Sequence, residues 1–183
     1  MKAYVTSIGE PTTKLCCWAL ERNGFDVFPV KHKESSLGKK LETIYMIAED
    51  DFVRIDADVI VNRDFTPKML GWLDSKNPDI WWWQFTLFDW FKLDLTNNTS
   101  FIKKEAIPAL RANIHKVMHL NRPETEVSRI REFYEPRRFE TYRDEIIGLH
   151  GYKCDTKSAK KLKHIRNQQD LYDFEMAERL NRL

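Results

Sequence analysis

Residues 52–61, Phe-Val-Arg-Ile-Asp-Ala-Asp-Val-Ile-Val, constrain this chain more than any other stretch. An apolar run is broken at its middle by two carboxylates, Asp56 and Asp58. Phe52, Val53 and Ile55 have the β-branched and aromatic character of a buried strand. Burying carboxylates at the end of such a strand is costly unless something positive compensates. The one-residue spacing lets both converge on one small volume where the strand ends and the backbone turns. A divalent cation bridging to phosphate oxygens is the natural partner. The alternative is a pair of exposed turn aspartates, since Asp is common there.

The chain before this stretch alternates. Residues 3–8 read as a first strand, with a turn at Gly9-Glu-Pro-Thr-Thr13. A helix follows from about Thr13, with Leu15, Trp18, Ala19 and Arg22 at helical spacing and Gly24 as its stop. Residues 25–30 make a second strand, so the opening is β-α-β and argues for a parallel sheet. Ser35-Ser36 caps a second helix, where Leu37, Leu41, Ile44, Tyr45 and Ala48 form one apolar stripe. Asp56 and Asp58 thus fall at the carboxyl end of the third strand of an alternating α/β unit. In open α/β sheets ligands bind at that edge.

Downstream, Thr66-Pro67 opens a short helix through about Leu73. Residues 80–87 read as a strand with bulky residues on both faces, 89–98 carry no clear period, and Phe101-Ile102 read as a short strand. A helix carrying Ile107, Leu110, Ile114 and Val117 is predicted to His119, and another over 124–134. Residues 135–142 read as irregular and 146–152 as an apolar stretch punctuated by glycines. From Thr156 to Leu183 the pattern is a long amphipathic helix or helix pair, basic in its first half.

The chain has 183 residues, 42% hydrophobic and 32% charged, which predicts one globular domain with a sizeable core. A net charge of +2 gives no field that points to nucleic acid. Three cysteines, two of them adjacent (Cys16, Cys17), make no disulfide framework and no metal spacing, which predicts a reducing, cytoplasmic setting. The first residues run straight into a strand, so no signal peptide is expected. No apolar run approaches the roughly 20 residues of a membrane span.

The order of parts, with the Asp-Ala-Asp at its centre, resembles the nucleotide-binding half of a GT-A-fold glycosyltransferase. The resemblance runs from about Lys2 to Tyr152 and predicts an α/β single domain with a mostly parallel central sheet flanked by helices, plus a C-terminal helix. The boundary is expected at 152, with 153–183 an amphipathic extension packed on the domain. Ser100 to Ala106 resembles the segment after the acceptor-side strand, Pro123 to Ile130 the acidic segment that supplies a base in inverting members, and His150 in Leu-His-Gly a late histidine on the metal. The family's acidic residue after the second strand has no evident counterpart in Lys-His-Lys-Glu after Val30, and the usual Glu-Asp pair is Pro123-Glu124 here.

The resemblance implies transfer from a nucleoside-diphosphate sugar, a UDP-sugar first, to a hydroxyl on a glycan or lipid-linked acceptor. A divalent metal, Mn²⁺ or Mg²⁺, would neutralise the leaving diphosphate. Asp58 is its first direct ligand, Asp56 binds it through water or holds the ribose, and His150 adds a nitrogen that favours Mn²⁺. Thr6, Ser7, Gly9 and Glu10 reach the nucleoside, or are ordinary turn residues. Lys39 and Lys40 approach the base or phosphates, or form a solvated face. Glu124 is the general base, or a helix-dipole partner. Trp81, Trp82, Trp83 and Trp90 invite sugar stacking or core packing. The basic start of the last helix suits a packed helix, a homodimer contact or a peripheral membrane contact. The competing functions are a sugar-phosphate nucleotidyltransferase, which normally needs a glycine-rich, arginine-containing loop after the first strand, and a binding protein that keeps the fold without turnover.

Overall fold

Why the first half alternates is visible in its burial. β1 (Lys2–Ser7) leads through α1 (Thr13–Arg22), β2 (Asp26–Lys31) and α2 (Leu37–Ile47) to β3 (Phe52–Asp56) in this computed structural model. The structure describes residues 1–10, 12–31, 36–74, 78–90, 94–120, 122–134 and 138–151. The expected C-terminal helix over 153–183, and with it the boundary after 152, lies outside the described residues. β1 is covered on both sides. Ala3 and Val5 pack with Cys16, Ala19 and Leu20 of α1, while Tyr4 packs with Leu41, Ile44 and Tyr45 of α2. A parallel strand buried on both faces carries consecutive apolar residues, as Ala3-Tyr4-Val5 of β1 and Phe52-Val53 of β3 do. Ser36 Oγ accepts from the Lys39 backbone N–H at 3.4 Å and caps α2, a contact worth about 1 kcal/mol.

The second half comprises β4 (Val59–Val61), α3 (Phe65–Asp74), β5 (Trp82–Asp89), β6 (Asp94–Ile102), α4 (Ile107–Val117), α5 (Pro123–Ser128), α6 (Arg131–Tyr134) and β7 (Phe139–His150). The seven strands lie in the order β2-β1-β3-β6-β5-β7-β4. Taking β1 as reference, β2, β3, β5 and β7 run with it, and β6 and β4 run against it. The sheet is therefore mostly parallel in strand direction, as expected. Phe65 and Met69 of α3 join the α1 side, and Leu110, Val127 and Phe133 of α4, α5 and α6 join the α2 side. Because α1 and α2 take opposite faces and β1 lies between β2 and β3, a topological switch point opens at the carboxyl ends of β1 and β3.

Several expectations change. Of the 89–98 region, Asp89 ends β5, and residues 94–98 belong with the short strand at Phe101 to one strand from Asp94 to Ile102. The helix over 124–134 is two short helices, α5 and α6. Residues 139–150, expected as irregular chain followed by a glycine-punctuated stretch, are one twelve-residue strand. Its Gly148 lies where a Cβ would stand 2.4 Å from the Ile60 carbonyl oxygen, so only glycine lets β4 approach β7 this closely. Of the tryptophans, Trp82 (1% exposed) and Trp83 (2%) pack on opposite faces, and Trp90 (8%) is buried as well. Trp81 is half-buried with the Arg138 guanidinium 3.8 Å from its ring centroid. Among the described residues no helix is long and apolar enough to cross a membrane.

Candidate functional site

β3 ends at Asp56, and a turn at Ala57-Asp58 passes the chain to β4. β4 pairs antiparallel with β7, Val59 opposite His150, and the Gly151 N–H donates to the Asp58 carbonyl at 2.9 Å. β5 pairs parallel with β7, Asp89 beside His150. These registers bring three side chains together that are far apart in sequence. His150 Nδ1 lies 3.0 Å from Asp89 Oδ2, and His150 Nε2 lies 3.5 Å from Asp58 Oδ2. Asp89 is 3% exposed, while Asp58 and His150 are each 20% exposed. When Nδ1–H donates to Asp89, Nε2 presents its lone pair toward Asp58.

Asp56 has different partners. Strand alternation puts Arg54, Asp56 and Thr6 on the α2 face. The Arg54 guanidinium and the Thr6 hydroxyl both donate to Asp56 Oδ1. Arg54, itself 3% exposed, also donates to the Asn98 carbonyl at 3.3 Å and to Asn98 Oδ1 at 3.4 Å. The doublet therefore does not act as one paired acid: Asp56 is paired with a buried arginine, and Asp58 turns to His150.

Ser7, Gly9 and Glu10 form a turn closed on itself. Glu10 Oε2 accepts from Ser7 Oγ at 2.7 Å and from the Ile8 N–H at 2.8 Å, and the Gly9 N–H donates to Ser7 Oγ at 2.9 Å. Gly9 has φ +97°, the left-handed conformation that favours glycine. Lys39 does not join the cleft: it is exposed and ion-paired with Glu42 along α2. Its neighbour Lys40 is the buried one, 3% exposed, with Glu10 and Asp56 near enough to attract its charge. Glu124 lies on α5 against Tyr45 of α2, not in the Asp58–His150–Asp89 group. Burial pushes the Tyr45 phenol far up, with Arg54 opposing and Glu124 adding to the shift. Glu124 Oε2 is buried and accepts no hydrogen bond among the described residues.

Asp58 and His150 fit a divalent ion, because two hard-to-borderline donor atoms converge and the histidine's other nitrogen is held by a carboxylate. Asp56 fits poorly as a third ligand while Arg54 and Thr6 occupy it. Among the described residues no group of three or more His, Cys, Asp or Glu side chains converges as a ligand set. Cys16 adds no thiolate: burial, then Cys17 and the Asp58 and Asp56 carboxylates, push its thiol well up. Asp89 and Arg54 are the site residues that the sequence reading missed; Lys40, named there beside Lys39, is the inward member of that pair.

Compared by sequence, the chain matches no family model and no curated protein. Its structure is similar to that of a glycosyltransferase involved in the glycosylation of the major capsid of PBCV-1, with a TM-score of 0.59 at 12% identity, covering 87% of this chain and 96% of that one. It is also similar to a Bacillus anthracis protein assigned as a glucose-1-phosphate thymidylyltransferase, with a TM-score of 0.53 at 10% identity, covering 91% of this chain and 96% of that one. The fold is GT-A-like. At these identities the likeness extends to the fold and no further.

Proposed function

We propose that this chain is a glycosyltransferase that uses a nucleoside-diphosphate sugar, UDP-linked first, and a divalent ion, Mn²⁺ first, to glycosylate a hydroxyl acceptor. The observation that carries the reading is the Asp58–His150–Asp89 arrangement at the sheet's carboxyl edge, 3.5 and 3.0 Å between successive partners. Bound there, the ion would supply Lewis-acid neutralisation of the leaving diphosphate. Asp89 fixes the imidazole tautomer, and His150 and Asp58 present an N and an O donor on one side of the cleft. Glu124, on α5 apart from this group, is the proposed base of an inverting course; its Oε2 has no hydrogen-bond partner among the described residues.

The nucleotidyltransferase alternative fares worse on the first loop. That chemistry wants donors around a triphosphate, and here Ser7-Ile-Gly-Glu10 closes around a carboxylate. Calorimetry with UDP and GDP, with Mn²⁺ and with EDTA, tests the proposal, alongside mass spectrometry of a nucleotide-sugar panel. Tighter UDP binding with Mn²⁺, hydrolysis or transfer of one donor, and loss of both in Asp58→Asn are the expected results. Absence of nucleotide binding under either condition overturns it.

A further inference from the structure

Lys40, on α2, is buried to 3% exposure near Glu10, Asp56 and Arg54, at the carboxyl ends of β1 and β3. Lysine is almost never buried so far without a counter-group. Among the described residues its ammonium forms no hydrogen bond and no ion pair, unlike Lys39 beside it, which pairs with Glu42. The two nearby carboxylates are already engaged: Glu10 by Ser7 and the Ile8 N–H, Asp56 by Arg54 and Thr6. Burial outweighs their attraction, Arg54 repels, and the ammonium sits below the usual lysine range. The surroundings of Lys40 are short of an anion.

We propose that Lys40 is a phosphate-binding residue, donating to an ionised phosphate oxygen of the nucleotide from the protein's side of the cleft, independently of any metal. A nucleobase carbonyl would answer one hydrogen bond but bring no charge. An ionised phosphate answers both the missing acceptor and the uncompensated ammonium, and charge-assisted bonds of this kind are the stronger ones. The position suits it, because ligands of open α/β sheets gather at the switch point. The inference rests on the nucleotide-binding reading above and names a contact within that same site.

The test is calorimetry in EDTA on the full chain, titrating pyrophosphate, UDP, UMP and uridine into wild type, Lys40→Met and Lys40→Arg. Methionine keeps the apolar stem, arginine keeps the charge, and a thermal melt confirms that each variant is folded. Lys40→Met is expected to weaken UDP and pyrophosphate binding by about 10- to 100-fold, to leave uridine unchanged, and to be largely rescued in Lys40→Arg. Equal losses for uridine and UDP would make Lys40 a base-reading residue and overturn the phosphate assignment. So would wild-type affinity for UDP in Lys40→Met. If the wild type binds pyrophosphate through Lys40 but no nucleotide, the glycosyltransferase reading fails and the phosphate site stands.

Discussion

The Arg54–Asp56 pair offers a perturbation whose magnitude follows from its surroundings. Arg54 is 3% exposed and Asp56 24%, and the guanidinium also holds the Asn98 carbonyl and side chain. Removing one partner of a buried pair costs about 3–5 kcal/mol, because the other charge is left uncompensated. Arg54→Met should sit near 3 kcal/mol, since water reaches Asp56 and Arg54 Nε, buried without an acceptor, disappears with the substitution. Asp56→Asn should sit near the upper end, because it strands a guanidinium that water does not reach. In the double variant both charges are gone, so the loss should fall short of the sum by about 2–3 kcal/mol. For a chain of this size 3 kcal/mol lowers Tm by about 6–12 °C. Urea unfolding followed by the fluorescence of the six tryptophans, without nucleotide or metal, measures all three variants. Costs that add to within about 0.5 kcal/mol, or an unchanged midpoint in Arg54→Met, would refute the pairing.

Two further substitutions separate packing from chemistry. Gly148→Ala places a Cβ 2.4 Å from the Ile60 carbonyl oxygen and 2.9 Å from Val61 Cα. It should cost about 1–3 kcal/mol by overpacking, and, because His150 lies two residues on in the same strand, weaken Mn²⁺-dependent nucleotide binding; unchanged stability refutes the close approach. Tyr45→Phe deletes a fully buried hydroxyl without a hydrogen-bond partner among the described residues. Denaturant unfolding should show it neutral or stabilising by up to about 1–3 kcal/mol, and a loss of more than about 1 kcal/mol would mean that the hydroxyl is bonded.

What could be read in advance followed local periodicity. The α2 stripe of Leu41, Ile44, Tyr45 and Ala48 is buried as its spacing requires, and the β-α-β opening delivers the parallel half of the sheet. Lys40 was readable too, three residues after Leu37 and four before Ile44, on the inward stripe that Lys39 misses. So was Arg54, two residues from Asp56 on a period-two strand and therefore on its face. β7 was not. Its first residues, Phe-Glu-Thr-Tyr-Arg-Asp-Glu, are too polar to announce a strand, and its pairing with β5 shifts register between Phe85 and Phe88. The Asp89–His150 contact spans 61 residues and exists through that pairing alone, so no local pattern announces it.

The two aspartates show how one residue of spacing can separate roles instead of joining them. Had β3 continued through Asp58, alternation would have set both carboxylates on one face, competing for Arg54 and Thr6. The strand stops at Asp56, and the Ala57-Asp58 turn sends the chain across to β7, where the Gly151 N–H holds the Asp58 carbonyl. Asp56 keeps Arg54 and Thr6 on the α2 face. Asp58 is handed to His150, whose far nitrogen Asp89 has already oriented. On the proposed reading, an ion at this edge would take Asp58 and His150 from the protein, with phosphate oxygens and water completing its shell. Metal affinity should then collapse with Asp58→Asn or His150→Ala, whereas Asp56→Asn should act first on stability.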